Sequence, residues 1–187
     1  MAEDGKYGII WMPSPHANKC AEAIKKIWDK VAGDHKKLVQ ILKGGNEEAI
    51  ALCNDANIPL ISATGSTKMG KDLAPLVAAR LGRSLLELGG NNAAIVCPTA
   101  DIDLTVKGIT FSACGTTGQR CTSLRRAFIH EDIYDDFITK LHAYYRSLKI
   151  GDPSEPSSQL GPLISKESFD SMQSTLENIR SRNIQVT

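Results

Sequence analysis

PLISATGSTKMGKDLAPLVAARLGRSLLELGG, residues 59–90, reads as a strand, a helix and a second strand with glycine at each joint. Pro59 to Ala63 is a short apolar run. Thr67 to Leu81 carries its apolar residues at helical spacing, and Gly82 stands where a helix commonly ends. Ser84 to Leu88 is the next strand, broken by Gly89-Gly90. Strands that alternate with helices at this spacing form a parallel sheet covered on both faces.

The same alternation continues outward in both directions. Upstream, Gly8 to Trp11 reads as a strand stopped by Pro13. Ala17, Ala21, Ile24, Ile27, Trp28 and Val31 then recur at helical spacing, with Lys25, Lys26 and Lys30 toward the end where the helix dipole favours cations. Val39 to Leu42 is a strand closed by Gly44-Gly45, and Glu47 to Asn54 a short helix. Downstream, Ala93 to Cys97 reads as a buried strand, Asp103 to about Thr116 as a helix and Leu124 to His130 as a strand. The next helix carries Ile133, Phe137, Ile138, Leu141, Tyr144 and Leu148, begins acidic and ends basic, and is stopped by Gly151 and Pro153. A Pro/Ser-rich loop leads to a last helix with Phe169, Met172, Leu176 and Ile179, and Ile184 to Thr187 resembles the start of a strand. The predicted fold class is α/β, built on a parallel sheet. The dinucleotide fingerprint GxGxxG is absent, since no two glycines are separated by a single residue.

Composition narrows the function classes. The 187 residues are 42% hydrophobic and 23% charged, enough for a real core and unlike a disordered chain. A net charge of +1 is not the basic footprint of a nucleic-acid binder. Spanning a bilayer as a helix takes roughly 20 apolar residues, and no segment offers such a run; the N-terminus MAEDGK has no apolar signal-peptide core. These features predict a cytoplasmic protein that engages neither membrane nor nucleic acid. The five cysteines, at 20, 53, 97, 114 and 121, are odd in number and irregular in spacing, which argues against a disulfide framework. No CxxC or His-rich cluster points to zinc, so no metal site is expected. Most of these thiols are expected to be buried packing residues.

Three stretches could carry chemistry. In GTTGQRCT, residues 115–122, two glycines, small hydroxyl residues and Arg120 precede Cys121, with Arg125 and Arg126 close behind. Positive charge near a thiol favours the thiolate; equally, the segment reads as a helix-to-strand turn with an inert cysteine. Glu87, in LLELGG, stands at the end of a predicted parallel strand, where open α/β sheets place ligands. Burial there would suit it to base work, while an edge glutamate reaching solvent is the commoner outcome. GSTKMGK, residues 65–71, nearly matches the phosphate loop GxxxxGK[ST], but Asp72 replaces the hydroxyl that holds magnesium. Anion binding at the start of that helix is compatible with this; nucleotide triphosphate hydrolysis is disfavoured.

Taken together, ATGSTKMG, LLELGGNNA and GQRCT, in that order and with 34 residues from Glu87 to Cys121, resemble the aldehyde dehydrogenase superfamily. The likeness runs from about Gly8 to the C-terminus. GRSLLELGGNNAAIV, the segment from Asp101 to His130 and the later IGDP and LGPLIS are most similar to the antiquitin-like group. Members of that group oxidise α-aminoadipic semialdehyde, which is in equilibrium with piperideine-6-carboxylate, in lysine breakdown. The resemblance implies a partial Rossmann-like parallel sheet over residues 1–88, the C-terminal part of an NAD-binding domain, followed over 89–187 by the N-terminal part of an α/β catalytic domain. Cys121 would attack a small aldehyde as nucleophile, Glu87 would activate water, and Arg120 would meet the polar end of the substrate. Gly65, Ser66 and Gly70 would face the pyrophosphate of NAD, with Trp11, Pro13 and Ser14 in the adenosine-side segment. Cys114 is read as packing.

The chain also departs from that pattern. Met12 stands where the family has a Lys that reaches the adenosine ribose, and a lost charge-assisted hydrogen bond of roughly 1.5–3 kcal/mol would weaken cofactor binding about ten- to hundredfold. The family's oxyanion-hole asparagine comes from a segment before Gly8, while its ribose-binding glutamate, substrate loop and the strands used in homo-oligomer formation follow Thr187. The resemblance therefore implies a central slice of a longer polypeptide, weakly active alone. The alternative is a non-catalytic binding fragment that keeps the fold.

Overall fold

The computed structural model describes residues 8–182 and 184. The chain divides into two compact units, Met1–Glu87 and Leu88–Thr187.

The first unit contains β1 (Ile9–Trp11), α1 (Asn18–Val31), β2 (Val39–Ile41), α2 (Asn46–Asn54), β3 (Leu60–Gly65), α3 (Thr67–Ala79) and most of β4 (Arg83–Leu88). β1 and β2 pair in parallel, Ile9 opposite Val39 and Trp11 opposite Ile41. β3 is hydrogen-bonded to β4 as a separate pair. The α/β alternation and parallel pairing expected from sequence are thus present, but built as pairs rather than as one continuous ladder. Periodicity identifies a strand; packing chooses its neighbour. Cys53, Leu73 and Val77 form the buried centre, which joins α2 to α3, with Ile61, Met69 and Leu76 against it. Arg80 ties the same corner by donating from Nε to the Cys53 carbonyl at 2.6 Å.

The end of α3 differs from expectation. Leu81, not Gly82, takes the left-handed conformation, with φ 60°. The Leu81 N–H bonds the Ala78 carbonyl and the Gly82 N–H that of Val77, the two bonds of a Schellman cap. Gly82 is needed for room: a Cβ there would stand 2.7 Å from the Arg80 guanidinium and 3.0 Å from Val77 Cγ1. On α1, Ala21 is buried whereas Ile24, Ile27 and Val31 are exposed, so much of its apolar stripe is uncovered.

The second unit contains β5 (Asn92–Val96), α4 (Ile102–Cys114), β6 (Leu124–Ile129), α5 (Tyr134–Ser147) and α6 (Lys166–Ser181). Asp101 caps α4 by accepting from the Leu104 N–H at 3.0 Å, and Ser165 caps α6. β5 and β6 are parallel, and Val96, Val106, Ile109 and Phe137 form the core that holds α4 and α5 on them. Contrary to the expectation of a buried strand, β5 is half-exposed: Val96 is 3% accessible but its neighbour Ile95 is 79%. The helices cover one face only. Burial of most cysteines also fails, since Cys53 is buried and Cys114 half-buried while Cys20, Cys97 and Cys121 are exposed. The strand start expected at 184–187 lies, save for Ile184, outside the described residues.

Candidate active site

In the first unit, Gly65, Ser66 and Gly70 come together where β3 enters α3. Ser66 is extended and caps the helix, its Oγ accepting from the Met69 N–H at 3.0 Å. The Gly70 N–H donates to the Ser66 carbonyl at 3.0 Å and so closes the first turn. A Cβ on Gly65 would lie 2.6 Å from Met69 Sδ, so a side chain there would require the flexible Met69 thioether to move. The remaining first-turn N–H groups project from a 13-residue helix, the arrangement that suits a phosphate. Asp72 is held by Lys68 at 2.7 Å on the exposed helix surface.

Trp11 ends β1, and its carbonyl accepts from the Leu42 N–H at 3.0 Å. Pro13 is buried and Ser14 exposed, with the Ser14 carbonyl accepting from the Ala17 N–H to begin a short helical turn. Met12, half-buried between them, brings a thioether and no donor. Glu87 is exposed near the end of β4, so the burial that would have suited it to base work is not found. Its carboxylate stands open to water. Glu87 closes the first unit, and Cys121 belongs to the second.

The loop that carries Cys121 connects α4 to β6 and is held by hydrogen bonds on both sides of that residue. Thr116 (φ 55°), Thr117 (φ 57°) and Gly118 (φ 68°) are three successive left-handed residues. For a β-branched threonine this costs about 1–2 kcal/mol. Hydrogen bonds oppose that cost. Thr117 Oγ1 donates to the Gly161 carbonyl at 2.8 Å, and Gln119 Nε2 donates to the carbonyls of Thr116 and Pro162 at 3.1 and 3.4 Å. Gln119 Oε1 accepts from the Ile164 N–H at 2.9 Å. GTTGQ is therefore a strained turn clamped against residues 161–164.

Cys121 itself lies in the next turn, exposed. The Ser123 N–H donates to the Arg120 carbonyl at 3.1 Å, and the Arg120 N–H donates back to Ser123 Oγ at 3.1 Å. Asn92 Nδ2, at the start of β5, donates to the carbonyls of Cys121 and Ser123 at 2.8 and 2.9 Å. The sequence reading missed Asn92 and Ser123. The signal available to it was only an Asn-Asn pair after Gly89-Gly90.

The three arginines do not simply surround the thiol. Arg120 stacks on Phe111, 5.2 Å from the ring centroid, and donates from Nε to Thr116 Oγ1 at 2.8 Å. Arg125 falls at the register break between β5 and β6 and donates to the Gly118 carbonyl at 2.9 Å. Arg126 donates to the Asn91 carbonyl at 2.7 Å. Each guanidinium has a structural partner. Burial, with the Cys114 thiol at the end of α4 adding to it, pushes the phenol of Tyr145 on α5 up to about 12.

Among the described residues no helix is long and apolar enough to cross a membrane, and no group of three metal-binding side chains is present.

Comparison with known proteins gives these features a lineage. A protein named aldehyde dehydrogenase family 7 member A1 from Brassica napus is 39% identical over 177 residues, 93% of this chain and 36% of that protein. An alpha-aminoadipic semialdehyde dehydrogenase from Bos taurus is 38% identical over 174 residues, 91% of this chain and 32% of that protein. The crystal structure of an NAD-dependent aldehyde dehydrogenase from Sinorhizobium meliloti superposes with a TM-score of 0.89 at 26% identity, over 94% of this chain and 35% of that one. The chain thus spans about a third of the length of the curated relatives it matches. The model of the aldehyde dehydrogenase family matches residues 8–187. Its likeness to the antiquitin-like group is carried by relatives with those names, and by descent and fold the chain belongs to the aldehyde dehydrogenase family.

Proposed function

We propose that this chain carries the nucleophile, the water-activating base and part of the NAD site of an aldehyde dehydrogenase. Its substrate is α-aminoadipic semialdehyde, the aldehyde in the name of the Bos taurus relative, and it acts in the cytoplasm. The observation that carries the reading is the Cys121 turn: an exposed thiol beside a backbone N–H that no described residue accepts, on a loop held at both ends.

The thiolate of Cys121 adds to the aldehyde carbon, and the oxygen that becomes negative accepts from the Cys121 N–H. NAD, when bound, supplies the hydride acceptor that lets the resulting thiohemiacetal become a thioester. Glu87, exposed to water on β4, takes a proton as water attacks that thioester, which releases the acid and restores Cys121. Arg120, oriented by Thr116 and Phe111, meets the polar end of an amino-acid-derived aldehyde. Gly65, Ser66 and Gly70 hold the pyrophosphate at the start of α3, and Trp11, Pro13 and Ser14 form the adenosine side. The unit ending at Glu87 is the cofactor unit, and the one beginning at Leu88 carries the nucleophile.

Brief iodoacetamide labelling with peptide mapping tests the nucleophile, because Cys20 and Cys97 are also exposed and serve as internal references. Cys121 is expected to label first and Cys121→Ala to abolish acyl transfer from p-nitrophenyl acetate. Faster labelling of Cys20 or Cys97, or undiminished acyl transfer in Cys121→Ala, refutes the reading. A chain that binds NAD but never acylates would point instead to the non-catalytic alternative.

A further inference from the structure

We propose that Asn92 and Ser123 are positioning residues that aim the Cys121 N–H at the developing oxyanion. The inference rests on the reading of Cys121 as nucleophile. Neither residue touches the thiol; both act through the turn that carries it.

One donor group joins two elements. Asn92 Nδ2 reaches the carbonyl of Cys121 at 2.8 Å and that of Ser123 at 2.9 Å, so the first residue of β5 holds both ends of a three-residue segment. Ser123 closes the same turn from inside. It is 0% accessible, its Oγ accepts from the Arg120 N–H and its own N–H donates to the Arg120 carbonyl. The Arg120 and Cys121 peptide planes therefore have little freedom, and the direction of the Cys121 N–H is set by them. A Cβ on Gly90 would stand 3.3 Å from the Cys121 carbonyl oxygen and 3.0 Å from Asn92 Oδ1, so the chain before Asn92 also has to stay clear of this contact. Catalysis by a preorganised donor depends on this kind of fixed aim, because a donor that must reorient at the moment of reaction loses most of its advantage. An asparagine suits the task since its amide presents two N–H bonds, one for each carbonyl.

Two reactions of the same thiol separate aim from reactivity. With p-nitrophenyl acetate the Sγ–C bond forms, the carbonyl electron pair moves to oxygen, and collapse expels p-nitrophenolate while the thiol proton passes to solvent. That step uses the Cys121 N–H. Alkylation by iodoacetamide displaces iodide at a saturated carbon and does not. The full chain is compared with Asn92→Ala, with the near-isosteric Asn92→Asp, which keeps the volume but loses the donors, and with Ser123→Ala. Thermal midpoints monitor folding, and peptide mapping assigns the acyl group to Cys121.

Both Asn92 variants are expected to acylate about tenfold or more slowly while alkylation changes less than about threefold, a misaimed donor being a partial form of the 10²–10³ loss that follows removal of one. Ser123→Ala is expected to lower the same ratio, and it decides the matter if the Asn92 variants do not fold. The proposal is overturned if the ratio of the two rates stays within about twofold of the parent protein, or if both rates fall together, as a purely structural role would produce. Undiminished acylation in Cys121→Ala overturns the nucleophile reading itself, and this inference with it.

Discussion

Phe137 offers the sharpest check on the core that supports the Cys121 loop. It is 0% accessible and packs with Val96 of β5 and with Val106 and Ile109 of α4. A buried aromatic ring removes about 150–250 Å² from water, on the order of 4–6 kcal/mol at about 25 cal/mol per Å². Alanine recovers part of that, so Phe137→Ala is expected to cost about 3–5 kcal/mol. Hydrogen exchange at the amides of α4 and α5 reads the loss locally, without requiring the whole chain to unfold in one step. At about 1.4 kcal/mol per factor of ten, protection there should fall by roughly two to three and a half orders of magnitude. Ile95→Ala is the control. Ile95 neighbours Val96 on the same strand but faces outward at 79% accessibility, and its truncation should cost no more than about 0.5 kcal/mol. A drop in protection below about tenfold for Phe137→Ala would refute the packing argument. So would an equal cost at Ile95. If Phe137→Ala leaves too little folded protein to measure, Phe137→Leu should show a smaller loss at the same amides.

Two further outcomes follow from the sites. Met12→Lys restores a charged donor at the end of β1 and should tighten NAD binding about ten- to hundredfold by calorimetry, the equivalent of roughly 1.5–3 kcal/mol; unchanged affinity would remove Met12 from the cofactor site. Tyr145 has its phenol raised from 10.0 to about 12 by burial and by Cys114. Since its folded-state value is the higher one, the associated stabilisation is complete below pH 10 and is lost as pH rises from 10 toward about 12, where the unfolded chain gives up its proton first. In a phenolate absorbance titration Tyr145→Phe should remove the last step; loss of an early step instead would contradict the assignment.

Much of this molecule is legible in the chain without coordinates. Apolar spacing places α3, α4 and α5 within a few residues of their observed ends, because a helix face must repeat every three to four residues wherever it packs. The motifs around Gly65, Glu87 and Cys121 carry the lineage, since each has its own residue types in a fixed order. Other features depended on groups remote in sequence. Leu81 rather than Gly82 turns left-handed because the Schellman hydrogen bonds and the Arg80 side chain together determine which residue needs room. For Glu87 the sequence leaves a buried base and an edge glutamate reaching solvent both open, and the structure shows it exposed, because burial is decided by what covers a strand and not by the strand. The arginines around Cys121 read as one electropositive cluster, yet each is directed to a separate carbonyl, ring or hydroxyl. Above all, no local pattern links Asn92 to Cys121. Their contact spans 29 residues and exists because β5 and β6 pair in parallel with Asn92 opposite Leu124. The sequence by itself determined which residues can do the chemistry; the pairing of two strands decided how the nucleophile's turn is held, since a hydrogen bond depends on distance and direction that only the folded backbone supplies.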